Sequence, residues 1–215
     1  MALLHQAEVV PSKLELLQAW APSQTWFVGE PGVALVNVSS YRFDDPDGEV
    51  GIETLLIRAG EGPVMQVPLT YRGAPLEGGD SWLVGTMQHS VLGPRWVYDA
   101  LGDPVALAAF ATTALTGGHQ AEQWIEIDGV MVQRDPTAVV EGSGVATSGV
   151  VLPLGVDIRN IHATESSTAL WGSHTDDPAR ARARSGRRCP GDAERHVARP
   201  AGGYDSGHGR TGLSR

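Results

Sequence analysis

The sequence predicts an α+β fold: a mainly antiparallel sheet packed against two helices, followed by a disordered C-terminal tail. Three observations predict it. Between residues 33 and 71, runs of alternating apolar character are separated by clusters of turn residues. Two helix signals, one near residue 13 and one near residue 104, carry start and stop residues. Finally, Asp128-Gly129 lies between two strand-like runs, a strong hairpin signal.

In chain order, Ser12-Lys13-Leu14-Glu15 fits a capping box, in which the serine oxygen meets an orphan backbone N–H and the glutamate reaches back. Leu14, Leu17 and Ala21 then share a face, with Leu16 and Trp20 beside it, and Pro22 stops the helix. This reads as a short surface helix, with Lys13 in its first turn. Trp26-Phe27-Val28-Gly29 comes next, ahead of a strand from Val33 to about Val38. Asp45-Pro46-Asp47-Gly48 is a turn, and Gly60-Glu61-Gly62-Pro63 is another. Between them, Val50, Ile52, Thr54 and Leu56 alternate; after them come Met65, Val67, Leu69 and Tyr71. The expectation is a meander with one apolar side.

Trp82 to His89 reads as a further strand ended by Val91-Leu92-Gly93-Pro94, and Trp96 to Ala100 as the approach to the second helix. In that helix Asp103 is a good N-cap, Pro104 suits the first position, and Leu107, Phe110, Ala111, Ala114 and Leu115 form the expected core stripe. Gly117-Gly118 closes it. Gln123–Ile127 and Val130–Gln133 flank the hairpin turn. The expected organisation is a domain over residues 1–141, a linker with an extra strand near Val150–Ile158 over 142–172, and a disordered tail over 173–215.

Charge divides along the same line. Residues 1–141 hold six basic residues against eighteen acidic ones, a net of −12; residues 142–215 hold ten against seven, a net of +3. A body this acidic repels nucleic acid and anionic lipid. Cys189 is the only cysteine, so no intrachain disulfide forms. The start of the chain lacks signal-peptide character, and no apolar run reaches the roughly 20 residues of a membrane helix. A soluble cytoplasmic protein, off the membrane, is expected.

Sites for chemistry are sparse. The spacing Gly142-x-Gly144-x-x-x-x-Gly149 fits neither dinucleotide nor Walker loops and reads as a linker. His174-Thr175-Asp176 lacks the asparagine that holds magnesium in kinase loops. His5, His89, His119, His162, His174, His196 and His208 show no zinc-ligand spacing. Asp44, Asp45 and Asp47 read as turn residues and not as a calcium loop. Lys13 is the only lysine, so no strand lysine is present to hold ATP phosphates. No catalytic residue, cofactor or metal is expected. The aromatics Trp26, Phe27, Trp82 and Trp96 read as core plugs, with a ligand-stacking platform as the sharper alternative.

Three ordered motifs carry a resemblance: Trp20-x-Pro22-x-Gln24-x-Trp26-Phe27-x-Gly29, then Gln66-Val67-Pro68-Leu69, then Val97-Tyr98-Asp99-Ala100 with Asp103-Pro104. Over roughly residues 5–140 the chain resembles the N-terminal cap domain of actinobacterial maltokinases. Related caps occur on glucosamine kinases and beside trehalose synthase, and similar stand-alone caps are often labelled alpha-glucan branching proteins. The resemblance implies a cystatin-like sheet wrapped on a helix, ahead of a phosphotransferase domain that holds the catalytic machinery. Residues 141–215 are too short and differ in composition, so a stand-alone, non-catalytic cap is expected. Glu30 stands where the family is usually basic. The implied partner is a separate sugar kinase or an alpha-glucan or trehalose enzyme. A rival reading is a small module holding a sugar or sugar phosphate against Trp26, Phe27, Trp82 or Trp96.

Overall fold

The computed structural model describes residues 2–4, 7–30, 32–127, 129–145, 155–163, 168–175 and 195–196. In chain order the elements are β1 (Ala2–Leu4), β2 (Val9–Val10), α1 (Lys13–Trp20), β3 (Leu35–Phe43), β4 (Gly51–Ala59), β5 (Met65–Arg72), β6 (Leu83–His89), β7 (Gly93–Asp99), α2 (Pro104–Thr116), β8 (Gln123–Ile127), β9 (Val130–Arg134), β10 (Gly155–Ala163), β11 (Thr168–Thr175) and β12 (Arg195–His196). The main sheet has six antiparallel strands in the order β2-β6-β7-β5-β4-β3. With one helix on each side, the architecture is α+β, as the sequence predicts.

Local signals place the ends of the helices. Ser12 and Glu15 form the reciprocal capping box at the start of α1. Asp103 caps α2 by accepting the Val105 N–H, Pro104 opens the helix, and Gly117 ends it in the left-handed region. The turn before β4 is knotted by Asp45, whose carboxylate accepts the N–H groups of Asp47, Glu49 and Val50 at 3.1, 3.0 and 2.9 Å. The side chain of Gln18 joins α1 to β3, donating to the Val33 carbonyl and accepting from the Leu35 N–H.

The sheet is buried on both faces, not one. Val67 pairs with Leu55, and Met65 with Ile57, so β4 contributes Leu55 and Ile57 to the face under α1. Ile52 and Leu56 point the other way, with Tyr41, Phe43, Val105, Ala106 and Phe110. A nearly continuous apolar run is what a central strand covered on both sides requires. The second difference is β7. Trp96 to Asp99, expected as the approach to a helix, is a strand paired with both β5 and β6. Its proline, Pro94, disguises it. In α2 Leu107 and Phe110 of the expected stripe face the core, with Ala106 and Ala108 buried beside them, whereas Leu115 is exposed.

Beyond α2 the chain stays attached to this unit. Ala121 donates to the Arg42 carbonyl, and Thr137 accepts from Ser40 N–H and donates to its carbonyl, which guards part of the β3 edge. Gly142 and Gly144 then lie against the end of α2, donating to the carbonyls of Gly118 and Ala114 at 2.8 Å each. A Cβ at either glycine would collide with α2 backbone, at Thr113 and Leu115 respectively. These glycines serve a close approach of two backbones. β1, β8 and β9 form a second sheet, parallel between β1 and β8. β10 runs beside α2 and pairs with β11, which pairs with β12. Apart from β10, β11 and β12, the residues expected to form a linker strand and a tail lie outside the described residues from 146 onward, Cys189 and the Arg-rich stretch included.

Leu107 is fully enclosed and His119 is exposed. Leu107→Asp is expected to abolish the cooperative melt, since an unpaired buried charge costs several kcal/mol, comparable to total stability. His119→Ala is expected to melt within a degree or two of the wild type. Thermal denaturation followed by circular dichroism checks both.

Candidate functional site

The charged groups that the sheet encloses form two clusters, one on each face. Under α1, Glu53 of β4 is almost fully buried. Lys13 reaches it at 2.5 Å from the first turn of α1, and Arg42 of β3 approaches at 3.7 Å. The Lys13 ammonium also sits 5.3 Å from the Tyr71 ring centroid. The single lysine is therefore not a free surface charge; it holds a helix start onto the sheet. Burial alone pushes the Glu53 carboxyl up, but Arg42 and Lys13 together pull it below its ordinary value. Tyr71 is held well above its ordinary value, first by burial and then by the Glu53 charge.

On the opposite face, Arg72 of β5 forks onto Asp103, with Nε to Oδ2 and Nη2 to Oδ1 both at 2.7 Å. Asp103 is completely buried, and Oδ1 also accepts the Val105 N–H at 3.0 Å. Both carboxylate oxygens are thus used, which is the condition under which a buried ion pair is tolerated. Nearby, the Tyr98 hydroxyl accepts the Leu76 N–H at 2.9 Å, and Asp99 accepts the Leu101 N–H at 3.0 Å. Burial raises the Asp99 carboxyl to about 6, against an ordinary 3.8.

The four aromatic candidates fall into two groups. Trp26 and Phe27 are half-buried beside the turn between β4 and β5. The Trp26 ring lies 5.7 Å from that of Trp20, and both Trp26 and Phe27 pack on the core beneath α1. Val28 N–H meets the Met65 sulfur at 3.2 Å, fixing this segment at the start of β5. Trp82 and Trp96 are at the other end of the sheet, both half-buried. The Trp82 ring covers Gly102, where a Cβ would strike it. Trp96 is opposite Arg72 on one side and Thr86 on the other. Trp96 lies the length of β5 from the Met65 end where Trp26 and Phe27 pack, roughly 25 Å at strand rise, whereas Trp82 precedes Leu83, which is opposite Tyr98 and level with Thr70.

Chemically, these groups brace the fold. Among the described residues, no three of His, Cys, Asp and Glu are placed to hold a metal ion. His89 is engaged in its turn, where Nδ1 accepts the N–H groups of Val91 and Leu92 at 3.2 and 3.1 Å. No helix of the described residues is long and apolar enough to cross a membrane. The bracing residues Glu53, Arg42 and Asp103–Arg72 escape sequence reading because their partners are distant along the chain. For Glu53, Arg42 and Arg72 the only local signal is a charge inside a strand; Asp103 is legible as a helix N-cap, but its pairing with Arg72 is not.

Residues 20–103 match the family described as the maltokinase N-terminal cap domain, which bears out the resemblance over that stretch. No curated protein matches the chain.

The enclosed charges give two expected outcomes. Arg72→Met strands the Asp103 carboxylate in the interior, and a loss of about 3 kcal/mol is expected in chemical denaturation. For Asp99, the raised folded value means that the folded state binds the proton more tightly than the unfolded chain. Its contribution is therefore favourable at acid pH and lost as pH rises from about 4 through about 6. Asp99→Asn keeps an oxygen for Leu101 and removes the charge. The variant is expected to be more stable than wild type at pH 7.5, by roughly 2 kcal/mol, with the gap closing toward pH 4.5. Melts across that range measure it.

Proposed function

We propose that this protein, through the maltokinase-type cap at residues 20–103, serves maltose, trehalose or alpha-glucan metabolism as a non-catalytic accessory module. It would act by protein–protein contact with a separate sugar kinase or alpha-glucan enzyme. The match to a maltokinase cap supports the metabolic setting. One observation supports the non-catalytic role: the residues that carry the family likeness are used as joints of the fold. Trp20 stacks on Trp26, Gln66 donates to the Tyr41 hydroxyl, Tyr98 holds Leu76, and Asp99 and Asp103 cap the segments after them. Groups committed in this way have little capacity left for proton or phosphoryl transfer.

The second reading keeps the half-exposed Trp26, Phe27, Trp82 and Trp96 as stacking surfaces for a sugar or sugar phosphate. Their partial exposure favours it, and the length of β5 between Trp26 and Trp96 keeps those two from sharing one small ligand.

With ATP, magnesium and maltose or glucosamine, the purified protein is expected to consume no ATP above a blank. Immobilised protein is expected to retain a sugar kinase or glucan enzyme from an actinobacterial lysate, identified by its activity. ATP turnover that a single substitution in this chain abolishes would overturn the accessory reading. Saturable quenching of tryptophan fluorescence by maltose, lost in Trp26→Ala or Trp96→Ala, would establish the second one.

A further inference from the structure

Taking that docking role as its premise, we propose that β9 is the receiving edge, onto which a partner protein adds a strand of alternating apolar and basic residues. The second sheet ends at β9, which has no further neighbour among the described residues. All five of its residues are exposed, with Val130 at 62%, Met131 at 40% and Val132 at 41%. The register places Val130 opposite Ile127 and Val132 opposite Ile125, so these four side chains form one apolar row.

Edges of this kind are normally guarded by charges, prolines or covering loops. The β3 edge shows such a guard, at Ser40 and Arg42. In β9 the one charge, Arg134, stands at the end of the strand, and Val130–Gln133 contains neither a charged residue nor a proline. An extended strand laid beside β9 would satisfy its outward backbone groups and cover the apolar row with every second side chain.

The remaining side chains of the added strand would face the row formed by Met131 and the exposed Glu126 opposite it. Glu126 is about 10 Å from the added strand, two strand spacings away, a span that a long basic side chain covers. The wider field agrees, because residues 1–141 carry a net charge of −12. The same charge opposes a second copy of this chain as the occupant.

The test uses the full chain of 215 residues and a fluorescein-labelled short peptide of alternating lysine and valine. The control peptide has the same composition, arranged as a lysine block ahead of a valine block. Fluorescence anisotropy is expected to show saturable binding of the alternating peptide, at least about tenfold tighter than the control. Val130→Lys with Val132→Lys is expected to weaken it at least about tenfold. Val139→Lys, at a site 78% exposed and outside the strand, should leave it unchanged. Val132→Lys alone replaces the double variant if the latter melts lower than wild type. The proposal is overturned if the two peptides bind alike, if neither binds, if the β9 variants bind as wild type, or if sedimentation shows the chain pairing with itself through β9. Retention of a kinase by the β9 variants as by wild type would leave the accessory role standing and remove this edge. Peptide binding without retention of any enzyme would do the reverse.

Discussion

A sheet covered on both faces has no wet side on which to leave a charge, and the rest of this structure depends on how that constraint is met. β4 and β5, neighbours inside the sheet, each carry a charged residue toward a helix: Glu53 on one face, Arg72 on the other. Each is answered from the start of the helix above it, by Lys13 and by Asp103. The two helices are thereby fixed at their first residues, where orphan N–H groups need partners in any case. Asp103 meets both requirements with one carboxylate, capping α2 and accepting the Arg72 fork.

Such pairs are a weak source of stability, since burying them costs about as much as their attraction returns. Their effect here is positional. On the α2 side the Arg72 fork admits one register, whereas Lys13 holds α1 to Glu53 as a point charge. The apolar packing supplies the bulk of the stabilisation on each face: Leu17 against Leu55, Ile57 and Val67 on one side, and Phe110 against Phe43 at 5.5 Å on the other. The ion pairs determine where that packing occurs.

The parts of this arrangement that can be read from the sequence are the local ones. The capping box at Ser12, the Asp103-Pro104 start, the Gly117 stop and the hairpin at Asp128-Gly129 depend on contacts within a few residues, so the string carries them. Features that rest on distant partners are not legible. Trp96–Asp99 reads as a helix approach because its strand partners are Leu69–Arg72 and Leu83–Thr86, and only the fold brings them together. Leu55 and Ile57 hide a second buried face because alternation in Ile52, Thr54 and Leu56 is enough to suggest one. For the candidate aromatics, residue type suggests stacking but carries no trace of their separation along β5. The motifs are visible as an ordered set, and the structure gives a physical role to several members: Trp20, Trp26, Gln66, Tyr98, Asp99 and Asp103 each close a joint.

The stretch matched to the cap family ends at Asp103, but the hydrophobic face it helps to build does not. Tyr41, Phe43 and Ile52 are covered by residues from α2 and by Ala138 and Val140, and Gly142 and Gly144 seal the end of that helix. The matched stretch is therefore not a cassette that can be cut at its sequence boundary. A gene fragment stopping at residue 103 would encode a sheet with one bare apolar side, prone to insolubility. Recombination that exchanged the segment after residue 103 would preserve a folded product only if it also carried a helix of small residues and a returning segment with apolar side chains. In that respect the lineage of this domain is constrained by a surface on which its own recognisable sequence is silent.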